Sequence, residues 1–76
     1  MPNKVPRVTG EEAIKAFCKA GYARHHATGS HHILKHPDRS ARLSIPVHAG
    51  DTVGVGLLRK QIKKAGLTVE QFIDLL

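Results

Sequence analysis

A chain of 76 residues allows one domain with a modest core, burying only about 60% of the surface that its unfolded form exposes. Lys and Arg number 12 against 6 Asp and Glu, a formal charge of +6 with neutral histidines, which favours an anionic partner such as nucleic acid or an acidic protein. A single cysteine, Cys18, excludes an intrachain disulfide and a Cys-based zinc site, and no apolar run approaches the ~20 residues that span a bilayer.

Met1-Pro2-Asn3-Lys4-Val5-Pro6 lacks the apolar stretch of a secretory signal, so a cytoplasmic location without membrane contact is expected. Pro2 and Pro6 disfavour helix before them, so residues 1–8 are expected to form an extended lead-in to one domain over 9–76. Thr9-Gly10-Glu11-Glu12 has the spacing of a capping box, and Ile14, Phe17 and Cys18 follow at helical intervals. A helix from Gly10 to Ala20 is predicted, with Cys18 as a small core residue on its apolar stripe and Gly21 as its stop.

The helical period is lost between Tyr22 and His48. Tyr22–His26 is expected as a short strand, Ala27-Thr28-Gly29 as a turn and Ser30–Lys35 as a second strand. His36-Pro37-Asp38-Arg39-Ser40 suits a type I turn. Leu43, Ile45 and Val47 alternate with polar positions and Pro46, the period of a half-buried strand that has an edge position or ends near the proline. A second helix is predicted from Val55 or Gly56 to Gly66, with Val55, Leu58, Ile62 and Ala65 on one face and Arg59, Lys60, Lys63 and Lys64 on or beside the other. Thr68 and Gln71 form a second capping box, opening a last helix, Val69–Leu76, that presents Phe72, Ile73, Leu75 and Leu76. This order predicts an α+β fold, α-β-β-β-α with a short C-terminal helix, in which a three-stranded antiparallel sheet carries its helices on one face.

Five of the six histidines fall between His25 and His36. Adjacent histidines on a strand point to opposite faces, so neither His25/His26 nor His31/His32 is expected to chelate one ion, and no metal site or cofactor is predicted. Acid–base chemistry on RNA is the sharper expectation. The 2′-hydroxyl can serve as nucleophile, and the protein then supplies a base, cations for the phosphorane and a donor for the leaving 5′-oxygen. His31 or His32 is the candidate base. Ser30 and backbone N–H groups near Gly29 are candidates for phosphate oxygens, and Arg24, Lys35, Arg42 and the basic helix for charge neutralisation. Strand parity separates the two histidines: if Leu34 points to the core, His32 and His36 follow it, and His31 shares the open face with Ile33 and Lys35. The sequence leaves that choice open.

Arg59, Lys60, Lys63 and Lys64 form a patch with no acidic residue between Asp51 and Glu70, which favours phosphate binding over an ordinary solvated face. Phe17, Tyr22 and Phe72 sit where a core needs them, so recognition is expected to lean on phosphates, the 2′-hydroxyl and shape rather than base stacking.

Taken in order, Val8-Thr9-Gly10-Glu11-Glu12, Ala20-Gly21-Tyr22, Gly29-Ser30-His31-His32, Ile45-Pro46-Val47-His48, Gly56-Leu57-Leu58-Arg59 and Ile62-Lys63-Lys64-Ala65-Gly66-Leu67-Thr68 resemble the HicA family of mRNA interferase toxins. The resemblance runs from about Pro6 to the C-terminus. It implies a double-stranded-RNA-binding-like fold and a ribonuclease that cuts mRNA and halts translation. It also implies one essential histidine in the Gly-Ser-His-His segment, which falls on His31 first and His32 second. The implied partners are mRNA and a HicB-type antitoxin that covers the active site, with DNA met only through the antitoxin. Where the family often has Gln and a Lys or Arg before Gly-Ser-His, this chain has His25-His26-Ala27-Thr28. The competing expectations are a module of the same fold that grips RNA without cutting it, and a domain whose basic face serves only an acidic protein.

Overall fold

Thr9 opens the first helix through both arms of its capping box. Its hydroxyl accepts the Glu12 N–H at 3.2 Å, and the Glu12 carboxylate accepts the Thr9 N–H at 2.8 Å. In the computed structural model, which describes residues 4–76, this start leads into α1 (Gly10–Lys19), β1 (Ala23–Thr28), β2 (His31–His36), β3 (Arg39–Pro46), α2 (Val55–Lys64) and α3 (Val69–Asp74). The strands form one antiparallel sheet in the order β1-β2-β3. The α-β-β-β-α order expected from the sequence is the one observed. The first three residues of the expected lead-in lie outside the described region. From Val5 onward the lead-in belongs to the core: Val5 and Val8 are buried, and the Val8 carbonyl accepts the Val53 N–H at 2.8 Å.

Two tight connections make the sheet. Gly29-Ser30 joins β1 to β2 as a two-residue hairpin loop between the paired residues Thr28 and His31. Gly29 has φ +59° at the first central position, where a type II′ turn requires a positive value, and this turn matches the natural strand twist. β1 therefore extends closer to this turn than expected, through Thr28, whereas β2 begins at His31 rather than Ser30. The second connection is Pro37-Asp38 between His36 and Arg39, and the His36 ring Nδ1 accepts the Asp38 N–H at 3.0 Å. That bond tightens the turn and lets β3 begin at Arg39, inside the stretch expected as loop. β3 ends at Pro46 and is an edge strand, so the proline removes no ladder donor.

All helices pack on one side of the sheet. Leu34, Leu43 and Ile45 are fully buried there with Phe17 of α1, Leu58 and Ile62 of α2, and Phe72 of α3. Phe72 meets Phe17 at a ring separation of 5.0 Å, which ties the short last helix to the first. Gly10 lets α1 touch the end of β3: a β-carbon there would collide with the Pro46 carbonyl oxygen. This contact sets the roll of α1 so that Gly10, Ala13, Ile14, Ala16 and Phe17 face inward.

Cys18 is exposed, contrary to the expectation that it lies in the core. Each helical residue turns by about 100°, so an arc centred between Ala13 and Phe17 leaves Cys18 beyond its edge. Val55 is also outside the core, at 37% exposure, because the buried stripe of α2 begins only at Leu58. Of the four apolar residues expected to face inward from the last helix, Phe72 alone is buried; Leu75 is half-buried, and Ile73 and Leu76 are exposed.

Gln61, 3% exposed, reaches from α2 to the free edge of β3, where its Oε1 accepts the Ser44 N–H at 3.1 Å. The bond satisfies an edge donor that would otherwise have no partner under the helix. In urea unfolding under mildly acidic conditions, Gln61→Leu should destabilise the protein by about 1–3 kcal/mol, and Gln61→Glu, whose neutral carboxyl keeps the acceptor, by less. Equal losses in the two variants would show that the bond is not the source.

Candidate nucleic-acid interface

The inward position of Leu34 sorts every side chain of β2. His32 and His36 lie on the helix side with it, while His31, Ile33 and Lys35 lie on the face that carries no helix. His31 is exposed. His32 is half-buried, and its Nδ1 is buried without a hydrogen-bond partner. His36 has a structural place: its ring holds the Asp38 N–H, stands edge-on to Tyr22 at 5.0 Å and lies against Gly21.

Registers across the sheet place Thr28, His31 and Pro46 in one row of the open face, and His26, Ile33 and Ser44 in the next. Lys35 continues the face on β2 and Arg42 on β3. None of the three strands contains an acidic residue, so no carboxylate on the sheet offsets these cations. Ser30 is half-buried in the hairpin loop, and its carbonyl accepts the Val47 N–H at 2.7 Å, which anchors the turn carrying His31 to the end of β3.

The other candidate cations stand elsewhere. Arg24 is paired with Leu34 and so points to the helix side, where Glu11 holds its guanidinium at 3.0 Å. This exposed pair is worth at most about 1 kcal/mol. Arg59, Lys60, Lys63 and Lys64 are all exposed on α2, which covers the opposite side of the sheet and the β3 edge. No ion pair engages them among the described residues. The sequence thus names two basic surfaces that the fold keeps apart: a histidine-bearing sheet face and a helical patch behind it.

The open face holds one residue, His25, whose placement strand parity alone gets wrong. Pairing between β1 and β2 slips between Arg24 and His26, leaving His25 as an extra residue. The irregularity brings the His25 and His26 rings together, with centroids 4.8 Å apart and Nδ1 atoms 2.5 Å apart. The expectation that adjacent histidines diverge fails here because it assumes an unbroken pleat. No residue pattern announces the slip, as neither glycine nor proline marks it.

Lys35, above all, holds the His25 imidazole below the usual histidine range; loss of hydration, His26 and Arg42 act in the same direction. His25 is therefore more readily left neutral near pH 6.5 than an isolated histidine. Among the described residues no three metal-ligating side chains cluster. A depression of about 540 Å³ lies beside His36, Asp38, Arg39, Ser40 and Ala41, at the far end of the β2–β3 hairpin from His31. It is not part of the histidine face.

Comparison with known proteins gives one family. The sequence model described as the HicA toxin of bacterial toxin–antitoxin systems matches residues 10–67. No curated protein matches the chain significantly. The matched span includes α1, all three strands, α2 and the entire open face.

Lys35→Gln should raise the titration midpoint of His25 toward the ordinary value of 6.5, read from its ring proton shifts in a pH series. A midpoint that stays in place would mean that Lys35 is not the cause of the depression.

Proposed function

Because the chain belongs to the HicA family of toxins from bacterial toxin–antitoxin systems, we propose that it is a metal-independent endoribonuclease that cuts mRNA and stops translation. Membership in the family makes it the toxin of a pair, with an antitoxin as partner. The observation that carries the nuclease reading is the company of His31. It is exposed on a helix-free sheet face with Lys35 and Arg42, where no acidic side chain competes for them.

In this reading His31 accepts the proton of the RNA 2′-hydroxyl as that oxygen attacks the adjacent phosphorus. Lys35 and Arg42 stabilise the charge that builds on the nonbridging oxygens. His31 is preferred to His32 because the latter lies on the helix side, out of reach of a backbone laid over the open face. The α2 cations bind flanking phosphates and contribute affinity without touching the reacting atoms. A HicB-type antitoxin would silence the protein by covering the open face, and the charge of that face suits an acidic partner surface.

Purified protein should degrade RNA in the presence of EDTA, and His31→Ala should slow cleavage by about 100-fold or more with an unchanged circular dichroism spectrum. Loss of cleavage in EDTA would refute the metal-free mechanism, and an unimpaired His31→Ala variant would refute the assigned base. RNA bound but never cut would instead select the binding-module reading. Replacing Arg59, Lys60, Lys63 and Lys64 by Gln should weaken RNA binding and flatten its dependence on log salt by about 0.7 for each phosphate that is no longer neutralised. An unaltered slope would remove the helical patch from the interface.

A further inference from the structure

We propose that the His25–His26 pair is the proton donor to the leaving 5′-oxygen, the acid that complements His31. The inference rests on the ribonuclease reading and extends it to residues that reading leaves unused. Its basis is the slip in β1: without it, His25 would project toward the helices, and with it both rings occupy the open face.

Two imidazole nitrogens 2.5 Å apart repel unless one carries a proton and the other a lone pair. One Nδ1–H therefore donates to the other Nδ1, which orients both rings and leaves their Nε2 atoms directed away from the contact. When the pair carries one net positive charge, its three protons occupy the shared Nδ1 position and both Nε2 atoms, so an Nε2–H is free to give. Lys35 and Arg42 face the pair from β2 and β3, and no carboxylate on the strands retains the proton. Their charge makes protonated His25 a stronger acid.

Position agrees with this role. His26 pairs with Ile33, and His31 is two residues from Ile33 on the same strand. The two histidines are therefore diagonal neighbours, with backbones ~7–8 Å apart. A phosphodiester lying along that diagonal, beside Ile33, has His31 at one end and the pair at the other, with Lys35 and Arg42 reaching toward its nonbridging oxygens. An in-line displacement needs its base and acid on opposite sides of phosphorus. As the bond from the 2′-oxygen to phosphorus forms, the 2′-hydroxyl proton passes to His31. As the bond from phosphorus to the 5′-oxygen breaks, an Nε2 proton of the pair passes to that oxygen. The products are a 2′,3′-cyclic phosphate and a 5′-hydroxyl, with His31 protonated and the pair neutral; exchange with water restores both.

The test uses two RNAs that differ at the scissile linkage, one all-oxygen and one with sulfur replacing the 5′-bridging oxygen. A thiolate leaves without a proton. The double variant His25→Gln/His26→Gln should cut the all-oxygen RNA about 100-fold more slowly than wild type and the sulfur-linked RNA within about threefold, while His31→Ala should be slow on both. Equal impairment of the double variant on both linkages, or none on the all-oxygen RNA, overturns the assignment. Wild-type protein supplies a second readout that does not depend on how the variant folds. Its cleavage rate should decline at high pH for the all-oxygen RNA and not for the sulfur-linked one; matching profiles overturn the proposal. Wild-type protein inert toward both RNAs overturns the ribonuclease reading and this one together. An active wild type with an unselective double variant overturns only this one.

Discussion

The burial of Leu34 opposite Leu43 is the contact on which the arrangement of the molecule depends. A strand has only two faces, and a shift of one residue would exchange them throughout its length. With Leu34 under the helices, His31, Ile33 and Lys35 have no alternative but the open side. The hydrophobic effect thus decides which histidine meets solvent, although it acts on a neighbouring leucine. The chemistry of the sheet face is a by-product of core packing, fixed before any ligand arrives.

The same packing divides the positive charge. Three helices cover one side of a small sheet, and α2 turns its cations away from it. A chain of 76 residues cannot place a basic helix and a bare sheet on the same side and still enclose Phe17 and Phe72. The result is a protein with two cationic surfaces that differ in kind. One is a sheet face that carries imidazole rings beside Lys35 and Arg42. The other is a row of flexible side chains suited to unspecific attraction of phosphate.

Elements governed by local rules are legible from the residues alone. Both capping boxes form as spaced, Gly21 follows the end of α1, and the β3 alternation places Leu43 and Ile45 in the core. Legibility declines where tertiary contacts decide. The roll of α1 follows from Gly10 meeting the Pro46 carbonyl, so the exposure of Cys18 cannot be read from a helical wheel. The parity of β2 has two solutions in the sequence, because Ile33 and Leu34 are equally apolar. The slip at His25 is invisible there: it depends on how β1 and β2 align, and either neighbouring residue is acceptable in a regular strand. Of the candidate residues, His31 and Lys35 come together on one face, whereas Arg24 is drawn to Glu11 and the four α2 cations remain apart.

The β1 edge has a consequence for how the molecule behaves among its own copies. All six of its residues are exposed, and no proline interrupts it. A straight border of this length is an invitation to sheet-to-sheet growth between molecules. The extra residue breaks the even spacing of donors and acceptors, so an incoming chain finds no continuous register to copy. Arg24 adds electrostatic repulsion between like borders. The distortion that gathers the rings therefore also guards against fibril-like stacking, and a sequence repaired to a perfect pleat would be the more prone to aggregate.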